Sequence, residues 1–154
     1  MLSPEDMVSC DNGDMGCNGG WLFAAWDYLE HTGIVTDACF PYTAGDGNEP
    51  KCVKQCVTGG QYKKYKCKKG SVVEATTPSQ IKSNIYKMGP METAFQVYED
   101  FFQYKSGIYH YTSGTMAGGH AVKIVGWGVE DGVHYWTMAN SWGPSWGEQG
   151  FFRV

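Results

Sequence analysis

Two residues in this chain have the types and the spacing to move protons together, His120 and Asn140. His120 stands in Gly118-Gly119-His120-Ala121-Val122-Lys123-Ile124-Val125-Gly126-Trp127-Gly128, and Asn140 ends the run Val133-His134-Tyr135-Trp136-Thr137-Met138-Ala139-Asn140. Between them Val129-Glu130-Asp131-Gly132 carries an Asp-Gly turn signal, so the two runs predict a β-hairpin. Centring the turn on Glu130 pairs residues whose numbers sum to 260, which sets Trp127 against Val133, Ile124 against Trp136 and His120 against Asn140. Directly opposed side chains share a face, with Cβ atoms about 4.5–5.5 Å apart. At that distance an amide can hydrogen-bond an imidazole nitrogen. A slip of one residue would send the two side chains to opposite faces.

A histidine that shuttles protons must keep one tautomer and one ring orientation, and a bonded amide supplies both. Asn, unlike Asp, brings no charge, which suits a histidine meant to be cationic beside a thiolate. Glycines before His120 leave bare backbone where a substrate could approach. Trp142 follows closely enough to shield the pair from water, whereas Trp127, Trp136 and Trp146 read as core. His31, His110 and His134 have no motif and read as structural or exposed.

The elements that must position this pair follow from pattern and punctuation. Ser3-Pro4-Glu5-Asp6 predicts a capped helix start, with the helix ending near Ser9 and a turn at Cys10-Asp11-Asn12-Gly13-Asp14. Leu22, Ala25, Trp26 and Leu29 fall at helical spacing in residues 21–31, with Gly33 closing that helix. Residues 36–60 form a loop with three cysteines, long enough to need staples or a function. Residues 62–73 predict a strand, and Thr77-Pro78 opens a helix closed by Gly89-Pro90. Further strands are expected over 91–97, 107–111, 119–127, 133–140 and 151–154, with a short helix over 98–104. The texture changes near residue 60, from helical and cysteine-rich to β-rich.

Composition excludes several classes. Of 154 residues, 42% are apolar and 18% charged, which a disordered chain would reverse. The formal charge is −4, against a nucleic-acid footprint. The one basic cluster, Lys63, Lys64, Lys66, Lys68 and Lys69, reads as a solvated edge strand. No apolar run reaches the roughly 18 residues a membrane helix needs. Six cysteines suit an oxidising compartment. The polar first ten residues are no export signal, so Met1 is expected not to be the natural start.

Several pieces, in order along the chain, resemble the papain family of cysteine proteases. They are Leu2-Ser3-Pro4-Glu5-Asp6 with Val8-Ser9-Cys10-Asp11, Gly16-Cys17-Asn18-Gly19-Gly20, Gly89-Pro90-Met91-Glu92, Tyr104-Lys105-Ser106-Gly107-Ile108-Tyr109, Gly119-His120-Ala121-Val122, Gly126-Trp127-Gly128, Asn140-Ser141-Trp142-Gly143 and Trp146-Gly147. Pro50-Lys51-Cys52 with Cys56, and Met116-Ala117-Gly118-Gly119-His120, are most similar to the cathepsin B type. The resemblance implies a papain-like α+β fold of two lobes, with residues 1–60 in the helical lobe and residues 61–154 in the β-barrel lobe. It implies peptide-bond hydrolysis through a thiolate and an acyl-enzyme, without metal or cofactor. His120 would be the general base, Asn140 its orienter and Trp142 their cover, which would also bind substrate on the leaving-group side. Gly19 and Gly20 would pair with the substrate backbone, while Leu22, Ala94, Gly119 and Ala121 would line the second acyl-side subsite. Cys10 would bridge to Cys52 and Cys39 to Cys56, with Cys17 bridged to an upstream cysteine or to Cys67. Partners would be peptide or protein substrates, a propeptide and cystatin-like inhibitors, for a monomer in a lysosome or digestive vacuole or secreted.

The chain departs from the family pattern in three places. The family's Cys-Gly-Ser-Cys-Trp nucleophile segment has no match, nor does the oxyanion-hole glutamine before it. Cys17, before Gly19-Gly20-Trp21, is a weaker nucleophile candidate than a disulfide one. Only twelve residues separate Cys39 from Cys52, none of them His, so the occluding loop of cathepsin B is missing and an endopeptidase with an open primed side is expected. A zinc site does not fit the cysteine spacings. The alternative function is a non-catalytic peptide-binding homologue, which would not need both His120 and Asn140; a structural disulfide module explains neither.

Overall fold

The structure, a computed structural model, describes residues 1–154, which gather into two compact units, Met1–Val73 and Glu74–Val154. No helix is long and apolar enough to cross a membrane.

The first unit is built around α1 (Pro4–Cys10) and α2 (Leu22–His31). Ser3 caps α1 by accepting from the Asp6 N–H, while its own hydroxyl donates to the Phe40 carbonyl at 2.5 Å. The two acids of the first turn are buried rather than solvated. Glu5 accepts from the backbone N–H groups of Thr43 and Ala44, and Asp6 from the Val35 N–H, the Tyr28 hydroxyl and the Lys64 ammonium. Each carboxylate thus accepts from loop N–H groups, those of Val35, Thr43 and Ala44, that have no backbone acceptor. On α2 only Tyr28 is fully buried, and the Thr32 and Gly33 N–H groups both return to its carbonyl. Gly33 is required there: φ is +83° and a Cβ would lie 2.8 Å from the Tyr65 carbonyl.

The long loop is stapled. Cys10 bridges Cys52 and Cys39 bridges Cys56, and both Cys10 and Cys39 join Tyr28, Val35 and Phe40 in the core of the unit. Cys17 and Cys67 are free thiols, so no bridge joins them. The strand expected over residues 62–73 does not form. Only Tyr65 pairs, in an isolated antiparallel bridge with Ile34. The lysine cluster is not wholly solvated either, because Lys64 turns inward to Asp6 at 2.6 Å. That charge-assisted bond directs Lys64 into the unit instead of to solvent.

The second unit is a four-stranded antiparallel sheet, β1 (Met91–Tyr98), β2 (Met116–Glu130), β3 (Val133–Ala139) and β4 (Phe151–Arg153), in that order across the sheet. Helix α3 (Pro78–Met88) packs on it through Ile81 and Ile85. Thr77 and Gln80 close a reciprocal capping box and Pro78 occupies the first turn. The core gathers Val97, Phe101, Tyr104, Val122, Ile124, Met138 and Phe152. The short helix expected over residues 98–104 forms as a 3-10 turn, Glu99–Gln103. The segment 107–111 makes one bridge, Ile108 to Arg153, rather than a strand. The Asp100 carboxylate competes for the following backbone, taking the N–H groups of Thr112 and Ser113 and the Tyr109 hydroxyl. Trp136 and Trp146 pack on the core as expected, but Trp127 is 40% exposed under the Lys82 ammonium.

Candidate active site

The hairpin that carries the site turns on Asp131 and Gly132, at φ +52° and +82°, with Glu130 paired to Val133. Positive φ at both central residues is the geometry that matches the twist of the flanking strands. The register therefore differs from the expected one. Near the turn Trp127 faces Trp136, not Val133. A bulge between Ile124 and Gly126 then takes back one residue, so that Ile124 faces Met138 and Lys123 faces Ala139. Continued three residues further, this ladder sets His120 opposite Trp142 and leaves Asn140 diagonal to it on the same face. An offset of two preserves the face, which is why the pair survives.

His120 Nε2 lies 2.8 Å from Asn140 Oδ1. The same oxygen accepts the Ser141 N–H at 2.8 Å. Two N–H groups converging on one oxygen fix the amide orientation and make Nε2 the protonated nitrogen of the ring. Nδ1 has no partner within the chain and is the nitrogen left for chemistry. Asn140 Nδ2 is buried without an acceptor. The amide is therefore held through its oxygen alone.

Trp142 stacks on the His120 ring, with centroids 5.0 Å apart and planes at 26°. Phe95, opposite His120 on β1, meets the ring edge-on at 6.1 Å. Behind them Trp142 packs on Phe101, Phe102 and Trp146, and the Trp146 indole N–H donates to the Phe102 carbonyl. The imidazole is therefore clamped between an amide at its edge and rings on its faces.

Ala94 pairs with Ala121 and Gln96 with Gly119, so Ala94, Gly119 and Ala121 share one exposed face of β1 and β2. By strand alternation this is the face opposite to that of His120 and Phe95. Gly19, Gly20 and Leu22 belong to the first unit. Gly19 has φ +100° and is tied into a turn by its N–H to the Gly16 carbonyl and its own carbonyl to the Met15 N–H. Gly20 must lack a side chain, since a Cβ would come within 2.5 Å of the Asp14 carboxyl, which accepts the Trp21 N–H. The Gly20 N–H and carbonyl have no partner within the chain. Cys17 sits in a 3-10 turn, Gly16–Asn18, and not on the first turn of α2.

Four residues at or near the site were invisible to spacing arguments. The Ser141 N–H acts through its backbone, which side-chain patterns cannot report. Phe95 reads as one more apolar strand residue. Glu148 and Arg153, whose guanidinium donates Nε and Nη2 to the carboxylate, are an opposite-charge pair five residues apart, a spacing without helical or strand meaning.

The papain family cysteine protease profile matches residues 1–154. Cathepsin B-like CP3 of Giardia intestinalis is 46% identical over 155 residues, covering 99% of this chain and 52% of that protein. Cathepsin B-like cysteine proteinase 3 of Caenorhabditis elegans is 42% identical over 175 residues, covering all of this chain and 47% of that protein. Among solved structures, proCathepsin B S9 from Trypanosoma congolense superposes with a TM-score of 0.88 at 34% identity, over 99% of this chain and 54% of that one. The chain spans about half the length of the curated relatives it matches. With this likeness running through both units and the clamped His–Asn pair, the chain belongs to the papain family of cysteine proteases, among its cathepsin B-like members.

Proposed function

We propose that the chain is the histidine- and asparagine-bearing part of a cathepsin B-type cysteine endopeptidase whose nucleophilic cysteine lies outside residues 1–154. The observation that carries this reading is the 2.8 Å contact between His120 Nε2 and Asn140 Oδ1 under the stacked Trp142 ring. A peptide-binding module has no need to fix an imidazole tautomer. A proton shuttle does.

On this reading the two ring nitrogens divide the work. With Nε2–H held by Asn140, Nδ1 takes the proton of the thiol and leaves a thiolate beside an imidazolium. The neutral amide leaves that positive charge undiminished. The thiolate attacks the scissile carbonyl, and Nδ1–H then protonates the departing amine to give the acyl-enzyme. Nδ1, now free, takes a proton from the water that hydrolyses the thioester. Trp142 excludes solvent from the Asn140 contact while this happens. The open peptide groups of Gly20, next to Gly19, suit an extended substrate added as a strand. In the second unit Ala94, Gly119 and Ala121 suit the second acyl-side subsite, where small side chains leave room for a substrate side chain. On this reading residues 1–60 belong to the helical lobe and residues 61–154 to the lobe that carries the histidine. The partners are peptide substrates, a propeptide and cystatin-like inhibitors, and the enzyme is a monomer of a lysosome, digestive vacuole or secretion. Cys39 and Cys52 enclose too short a loop, without histidine, to cap the primed side, so internal cleavage is favoured over dipeptide release.

The test uses the protein from its natural source. Treatment with a thiol-directed epoxide in mild acid, followed by peptide mapping, should place the label on a cysteine outside residues 1–154. A label on Cys17 would overturn the assignment, and no fast-reacting cysteine would favour the non-catalytic homologue. Dipeptide release as the main activity would sink the open primed side.

A further inference from the structure

Asn140 is held by more than its neighbour. Its backbone N–H donates to the Gly150 carbonyl at 2.9 Å, so the segment after it must fold back sharply. It does so through Gly147, Gln149 and Gly150 at φ +57°, +57° and +90°. Three left-handed residues within four reverse the chain, and at Gln149, the one that is not glycine, that backbone is strained. Gly147 has no room for a Cβ, which would lie 2.6 Å from the Phe151 carbonyl. Strain of this kind persists only where the surroundings over-determine the backbone.

Glu148 supplies that restraint from the tip of the reversal. Its carboxylate accepts the Gly107 N–H at 2.9 Å, Arg153 Nε at 3.0 Å and Arg153 Nη2 at 2.8 Å. Its backbone N–H donates to the Phe151 carbonyl at 2.8 Å. Arg153, on β4, is itself oriented by a bond from Nη1 to Glu130 at 2.7 Å and by the Tyr135 ring 5.2 Å away. The fork of a guanidinium on a carboxylate fixes direction as well as distance. The Tyr104 hydroxyl, near both groups, donates to the Gly107 carbonyl and accepts the Arg153 N–H. The hydrogen bonds from Arg153 hold the Glu148 carboxyl below the usual glutamate range, so it stays charged in mild acid.

We propose that Glu148 and Arg153 are a positioning pair for the proton-shuttling site: their ion pair holds the Gly147–Gly150 reversal closed, and through the Gly150 carbonyl it keeps Asn140 aligned on His120. The pair touches neither substrate nor imidazole. It acts through the backbone of the loop that also carries Trp142. This inference rests on the protease reading above.

The test compares wild type with Glu148→Gln and Glu148→Asp in the natural full-length protein. The readouts are kcat and KM for peptide hydrolysis and the pH profile of thiol alkylation. Glu148→Gln keeps the size and loses the charge. It should lower kcat roughly tenfold through misalignment, leave KM nearly unchanged, and move the alkaline limb of both profiles to lower pH. Glu148→Asp, which keeps the charge, should restore most of the loss. Where Glu148→Gln fails to fold, Arg153→Lys keeps the charge without the fork and should give the same shift. A Glu148→Gln enzyme with the wild-type profile would overturn the proposal. So would lost activity with an unmoved limb and no rescue by Asp. If wild type itself shows no fast thiol and no hydrolysis, the protease reading falls and takes this proposal with it.

Discussion

The two units hold irregular backbone in place by different chemistry. In the first unit buried carboxylates and disulfides do it: Glu5 and Asp6 feed acceptors to the loops at Val35 and Thr43, and two bridges staple residues 36–60. In the second unit a sheet and a cluster of rings around Phe101 do it, with Phe152, Tyr109, Trp142 and Trp146 all within about 6 Å of that ring. The difference teaches where precision is needed. An imidazole that must keep one orientation sits on the rigid sheet, with aromatic packing that does not change with pH.

The comparison can be broken by removing one member of each scheme. Phe101→Ala would open a cavity at the centre of the ring cluster and cost about 3–5 kcal/mol. Asp6→Ala would leave the Lys64 ammonium and the Val35 N–H without their buried partner, at a similar cost of about 3–5 kcal/mol. Hydrogen exchange followed by mass spectrometry should localise each loss to its own unit. Faster exchange spread over both units in either variant would contradict the separation.

Reduction sharpens the same contrast. Opening the two bridges should cost about 2–4 kcal/mol each and raise exchange in residues 1–73. Residues 74–154 contain no cysteine and should keep their protection, with Trp fluorescence from the Phe101 cluster unchanged.

Asp11 is the exception among the buried acids. It caps the C-terminal end of α1, where the helix dipole is negative, and its Oδ2 is buried without a donor. Burial pushes its carboxyl above the usual aspartate range, with Asp14 and Asp27 adding to the shift and the Gly13 N–H opposing it. A raised carboxyl favours the folded state only while protonated, so this group's contribution falls as pH rises from the unfolded value through the raised folded one. Asp11→Asn should therefore stabilise the neutral-pH protein, on the order of 1 kcal/mol. Thermal melts at pH 7 and pH 3 would show it as a gain at pH 7 that shrinks at pH 3. A loss at pH 7 would show that the carboxylate has a donor after all.

The smallest effect is local. The Asp100 carboxyl lies at about 2: partial burial pushes it up, but the Thr112 N–H, the Tyr109 hydroxyl, the Thr112 hydroxyl and the Ser113 N–H outweigh this. A depressed carboxylate stabilises above its unfolded value and stops doing so as pH falls through the folded one. Residues 109–115 should thus loosen between about pH 4 and pH 2, visible as broadened amide resonances of Thr112 and Ser113. Sharp resonances at pH 2 would contradict the clamp.

How much of this was legible in the sequence depended on whether the determinant was local. Helix α3 could be read because its start and stop are spelled in Thr77-Pro78 and Gly89-Pro90. The hairpin could be read from Asp131-Gly132, but not its register, because the two-residue turn and the bulge at Val125 shift the ladder in opposite directions. The His–Asn pair survived through the even residual offset. Residues 62–73 and 107–111 have strand-like composition, yet Asp6 and Asp100 draw on the former's Lys64 and on the backbone just after the latter. Those are tertiary contacts that no local pattern announces. The positions of Ser141 and Glu148 in the site belong to the same class.

The central claim is that His120, oriented by Asn140, moves the protons of peptide hydrolysis. The direct measurement is kcat/KM of the natural full-length protein and its His120→Ala variant on an unblocked peptide series, with circular dichroism and melting temperature confirming that both are folded. The account predicts a loss of about 10²–10⁴-fold, the usual share of a general acid–base group. A folded variant within a few-fold of wild type would contradict it.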